Sequence, residues 1–108
     1  MASTVKSAIA ADIGITPVTL YTAPALTTTT VIGLSICNVY TSGIIAKVTV
    51  VKGGTTAHLI KDVPLPYGSS LVVVGGDQKV VLAAGDYIQI ASDITSSIDA
   101  VASVLELT

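Results

Sequence analysis

From Leu65 to Ile90 the sequence sets a turn signal ahead of each of three short apolar runs, at residues 71–74, 79–82 and 87–90. Pro66 and Gly68 suit a type I turn, with Pro fixing φ at the second position and Gly closing it. Gly75, Gly76 and Asp77 suit a tight hairpin, and Gly85 suits a turn before Asp86 and Tyr87. Runs this short and this rich in Val and Ile read as β-strands, and the same cadence extends to the rest of the chain.

Upstream, residues 18–23 form a strand candidate stopped by Pro24, because proline cannot donate to a ladder. Residues 27–40 form the longest one. Thr28, Thr30, Ile32, Leu34, Ile36, Asn38 and Tyr40 fall on one face, and Thr27, Thr29, Val31, Gly33, Ser35, Cys37 and Val39 on the other. Residues 44–52 and 56–63 follow, joined across Gly53 and Gly54, with Pro64 and Pro66 ending the second. Residues 98–107 fit two periods. Ile98, Val101, Ala102 and Leu105 make a helical stripe, while Val101, Ser103, Leu105 and Leu107 make one face of a strand. We assign a strand, since every earlier segment is β and a lone helix needs a face to cover. The expectation is an all-β, antiparallel β-sandwich of about eight strands, with residues 1–108 as a single domain and residues 1–13 as an N-terminal arm or edge strand.

At 108 residues a chain can bury a core without staples, and its one cysteine, Cys37, allows no internal disulfide. The start of the chain has no apolar run of secretory length, so we expect synthesis in the cytoplasm without processing. Charge is the unusual quantity. Only 11% of residues are Asp, Glu, Lys or Arg, against about a quarter in an ordinary domain. No charged residue lies between Asp12 and Lys47. A membrane span is excluded there by Gly14, Pro17, Pro24, Gly33, Asn38 and Gly43 among many threonines. Either the surface is rich in Thr and Ser and poor in charge, or other subunits cover much of it; we favour the second, with the first true in part. The net charge is −2, the five lysines are scattered and arginine is absent, so no nucleic-acid footprint is present.

No constellation of side chains points to chemistry. His58 is the sole histidine and would need Cys37 or a carboxylate beside it to act as a base. Cys37, between Ile36 and Asn38, reads as a small apolar residue on a strand. Asp77 and Asp86 each follow a glycine. They read as turn residues, because the alternating Asp ligands of a calcium loop are missing. The glycine pairs lack the Lys-Ser/Thr ending of a phosphate cradle. Tyr67, at a turn tip, and Tyr87 are the candidates for a sugar platform or a subunit contact. We expect no catalytic, cofactor-binding or metal-binding residue, and no enzyme activity.

Three pieces of the chain carry a resemblance. One is residues 18–24 with 31–38, a second is residues 65–71, and the third is residues 79–90 with the closing residues 103–106. Together they resemble small virion structural proteins of tailed bacteriophages, among them capsid cement or decoration proteins and related tail and collar proteins. The resemblance implies a β-sandwich, jelly-roll-like, in a symmetric assembly on the virion. It implies the chain itself as a partner, with a trimer favoured, and the major capsid protein or other virion proteins besides. The resemblance does not decide the position on the particle; the function we expect is capsid cement, with a tail, collar or baseplate component as the alternative and a carbohydrate-binding adhesion module as a further one.

Overall fold

The computed structural model describes residues 2–76 and 78–108. Its strands are β1 (Ser3–Ile13), β2 (Val18–Thr22), β3 (Thr28–Asn38), β4 (Ile44–Lys52), β5 (Thr55–Leu65), β6 (Ser70–Val74), β7 (Val80–Leu82), β8 (Tyr87–Ser92) and β9 (Ile98–Leu107). They form two antiparallel sheets packed as a sandwich. One has the order β1-β9-β3-β6, with β7 also on β3, and the other the order β2-β8-β4-β5. Strands β6 and β7 run in line along one edge of β3, against residues 34–37 and 29–31. Taken as one interrupted strand, they leave four strands in each sheet, wound as a jelly roll.

Alternation of apolar residues builds the core between the sheets. Leu34, Ile36, Ala100, Ala102 and Val104 face inward from the first sheet and Ala46, Val48, Ile88 and Ile90 from the second, each at most 2% exposed. Burying a Val, Leu or Ile stabilises the fold by about 1.5–3 kcal/mol. Residues 98–107 are a strand, with Ile98, Ala100, Ala102, Val104 and Glu106 inward. Residues 3–13 are an edge strand, held by β9 alone.

Four local expectations change. First, β3 does not keep one face along its length. Thr29 and Val31 point inward, as do Leu34, Ile36 and Asn38. Val31 pairs with Val104 and Gly33 with Ser103, so Ile32 is an extra residue that reverses the alternation. Second, Gly75 and Gly76 do not close a hairpin. The chain makes an excursion there and then resumes along the same edge of β3; Asp77 lies outside the described residues. Third, the turn after β5 is one residue later than expected. Ser69 N donates to Pro66 O at 3.1 Å, and Gly68 takes φ +74° at the third position, which is type II geometry. Fourth, Pro64 does not end β5. It pairs with Ile45 inside the strand, which an edge strand tolerates because its other side meets no ladder.

Candidate assembly surface

The two outer faces of the sandwich differ in charge. On the β1-β9-β3-β6 sheet the register places Val5 and Ile9 beside Leu105 and Val101, and these beside Thr30 and Ser35. Val72 and Val81 continue the face on β6 and β7. Val5, Ile9, Val72, Val81 and Val101 are 71%, 76%, 68%, 52% and 49% exposed. Ser7, Ser103, Gly33 and Cys37 fill the positions between them. The carboxylate that the register puts on this face is Asp99, at one end, where its Oδ1 accepts from Asp12 N at 3.0 Å. The opposite face carries Lys47, Thr49 and Gln89 across β4 and β8, with His58 opposite Thr49 on β5. Two shallow grooves lie on that side. One of about 270 Å³ is lined in part by Pro17, Lys47, Asp62 and Asp93. Another of about 180 Å³ is lined in part by Pro17, Lys47, Thr49 and Gln89.

Two carboxylates, Glu106 and Asp86, are buried in the fold, each paired with a lysine. Glu106 is 6% exposed, on the inward face of β9. It accepts from the Tyr21 hydroxyl of the opposite sheet and pairs with Lys6 Nζ at 3.0 Å. Thr29 Oγ1 lies 2.9 Å from the same hydroxyl. The Tyr21 hydrogen bond, then Lys6, holds the Glu106 carboxyl below its usual range. Burial first, and Glu106 second, pushes the Tyr21 phenol up. A second cluster ties the β4–β5 hairpin to the β7–β8 turn. Lys52 Nζ lies 2.7 Å from Asp86 Oδ2, and Ala83 N donates to the same oxygen at 2.9 Å. Gly53 N donates to Asp86 Oδ1 at 3.3 Å. Lys52, then the Ala83 amide, lowers the Asp86 carboxyl from its ordinary value. Asp86 is thus a turn-capping group, as its position after Gly85 suggested.

The residues weighed for chemistry are not brought together. Cys37 lies on β3 of one sheet and His58, exposed, on β5 of the other. Among the described residues no three His, Cys, Asp or Glu side chains group in a way that could hold a metal ion. Tyr67 is 69% exposed at its turn. Neither it nor Tyr87 lines either groove. Sequence reading missed the Tyr21–Glu106–Lys6 cluster, because strands from opposite ends of the chain, β1 and β2 with β9, supply it. The outer face was visible only as low charge, since the Ile32 bulge decides which β3 residues reach it.

No protein-family model matches the chain, and no curated protein matches it. Solved structures do. A chain from the structure described as "Bacillus endospore appendages form a novel family of disulfide-linked pili" aligns with a TM-score of 0.58 at 12% identity, over 98% of this chain and 88% of that one. A chain from the structure of infectious bursal disease virus, Gx strain, aligns with a TM-score of 0.57 at 17% identity. That match covers 98% of this chain and 33% of the viral one, so this chain spans about a third of its length. At such identities the likeness shows the fold alone: a two-sheet β-sandwich shared with a pilus protein and a virus protein.

Proposed function

We propose that the protein is a virion structural protein, a single-domain capsid cement that binds the shell as a small oligomer. The observation that carries this reading is the exposed, nearly uncharged outer face of the β1-β9-β3-β6 sheet. Four strands about 4.8 Å apart and roughly ten residues long give a patch of roughly 20 Å by 33 Å. That is about 650 Å², close to the roughly 800 Å² that one partner contributes to a standard stable interface. Within the patch the exposed Val5, Ile9, Val72, Val81 and Val101 lie among small, uncharged residues, and clustered exposed apolar side chains mark interaction surfaces. The likeness of the fold to a virus protein and a pilus protein supports a role in assembly. Seated on the shell, the face would stabilise it by burial, and that role asks nothing of a catalytic group, cofactor or metal.

Labelling of intact particles tests the proposal. Many copies spread over the shell are expected. Copies confined to the neck or tail would replace the cement role with a tail, collar or baseplate one. Absence from purified particles would overturn the virion reading. Val101→Lys, on the outer face, is expected to abolish binding to the shell while leaving the far-UV spectrum unchanged.

A further inference from the structure

We propose that β1 is a self-complementary edge, which pairs with β1 of a second copy about a twofold axis at Ser7. The inference takes up the self-association in the proposed function and specifies which strand makes it. It makes the unit a dimer instead of the trimer that the sequence resemblance favours.

A sheet edge invites pairing unless something interrupts it. Three of the four edges here are interrupted. Strand β2 has five residues and lies between Pro17 and Pro24. Strand β5 carries Lys61, Asp62 and Pro64 and shifts register twice. The fourth strand position of the other sheet is broken between β6 and β7. Strand β1 has eleven residues, no proline and one lysine, and keeps an unbroken register with β9 from Ser3 to Ala10.

The register also tells which backbone groups are open. Ala2 and Thr108 exchange both of their backbone hydrogen bonds, at 3.2 and 2.9 Å. Antiparallel pairs alternate, so Thr4, Lys6, Ala8 and Ala10 turn their amides and carbonyls toward β9. Ser3, Val5, Ser7, Ile9 and Ala11 turn theirs to the open edge. Asp12, at φ +57°, ends that run, and Asp99 takes its amide.

Antiparallel pairing centred on Ser7 sets Val5 opposite Ile9 of the second copy, and Ser3 opposite Ala11. All these open groups are satisfied in about ten hydrogen bonds. Val5 and Ile9 form β-branched cross-strand pairs on the outer face. Lys6 falls opposite Ala8, so no like charges face each other directly, and it keeps its pair with Glu106. Centring the axis on Lys6 would set two ammonium groups face to face. Charge thus disfavours the axis at Lys6, and an axis at Ala8 would leave Ser3 unpaired, so the axis at Ser7 satisfies the most open groups. The two apolar outer faces then join into one surface of double width.

Sedimentation and crosslinking of the isolated protein test this without any particle, so a failure here leaves the role of the outer face standing. The wild-type protein at micromolar concentration is expected to sediment as a dimer. Ser7→Lys opposes like charges across the axis and should weaken the dimer about tenfold or more with an unchanged far-UV spectrum. In a Cys37→Ser background, Ser7→Cys should form a disulfide dimer on mild oxidation, since facing Cα atoms in such a pair lie about 5.5 Å apart. Ser3→Cys, far from its own copy, should not. A monomer at all concentrations, a trimer, or equal crosslinking of both cysteine variants would overturn the proposal.

Discussion

Deleting Ile32 and deleting Ser35 shorten β3 by the same amount but should have unequal effects. Between Val31, paired with Val104, and Ile36, paired with Ala100, β9 offers three positions and β3 fills them with four residues. Removing any one of the four allows a regular ladder. Without Ile32, Gly33 and Ser35 stay outward and Leu34 stays inward. Without Ser35, the regular ladder turns Leu34 out and Gly33 in. Leu34 is 2% exposed, so its loss from the core is a large-to-small change costing about 2–5 kcal/mol. Deleting Ile32 forfeits only the burial of a residue that is 37% exposed, about 1 kcal/mol. The difference is about 1–4 kcal/mol in favour of the Ile32 deletion, a large part of the stability of a small domain. Urea unfolding followed by far-UV circular dichroism measures it, and the midpoints should separate by roughly 1–2 M. Equal midpoints, or a more stable Ser35 deletion, would refute the assignment of Ile32 as the inserted residue.

Other perturbations address the hydrogen-bonded clusters and one turn. Asn38 is 2% exposed; its Nδ2 donates to Ser42 O and Leu65 O at 2.9 Å each, and its Oδ1 accepts from Tyr40 N at 2.8 Å. Asn38→Ala strands these groups and should cost about 2–4 kcal/mol in urea unfolding. Gly85 has φ +88° and donates its amide to Ala23 O at 2.9 Å. Gly85→Val should therefore lower stability by about 1–3 kcal/mol, and an unchanged melting temperature would contradict that backbone geometry. Glu106 and Asp86 are both more acidic in the fold than in the unfolded chain. Their stabilisation is present above the ordinary carboxylate range of about 4 and is lost as pH falls through the lower folded values. Tyr21 is shifted the other way, so its contribution is present below about pH 10 and is lost as pH rises through the raised value. Melting temperature against pH should fall at both ends, and Glu106→Gln should flatten the acid limb in part.

Strand existence was legible because it is written locally. Val, Ile and Thr recur with a period of two between turn residues, and most runs are short. Residues 98–107 were settled by context, since a strand there completes the inward set of Ala100, Ala102 and Val104. Facing in β3 was not legible. One inserted residue leaves the composition of the strand unchanged and reverses every side chain beyond it, so Thr29 and Leu34, five positions apart, share a face. Pairing was illegible for a similar reason. Gly75 and Gly76 are compatible with a hairpin. The chain instead continues along β3, whose eleven residues give an edge long enough for β6 and β7 together.

The shortage of charge takes its physical meaning from where the few ions go. Lys6 and Glu106 pair at the inner face of one sheet, and Lys52 and Asp86 pin two turns. Asp12 and Asp99 meet at a bulge, and Asp93 accepts from Ile45 N at 2.8 Å. Apart from Asp12, which contributes its amide to Asp99, each of these side chains satisfies a backbone amide or a buried partner. Of the remaining exposed charges, Lys47, Lys61 and Asp62 lie on the β2-β8-β4-β5 sheet, while Asp12 and Lys79 stand at the ends of strands of the other, away from the centre of its face. A chain selected only to stay dispersed in water would put ions on both faces, because an exposed lysine in place of Val101 would meet no steric obstacle. Leaving Val5, Ile9, Val72, Val81 and Val101 on one face favours contact over solubility. The same preference explains why the adjoining edge, β1, carries no proline and holds its bulge-borne charge, Asp12, beyond the regular run from Ser3 to Ala10.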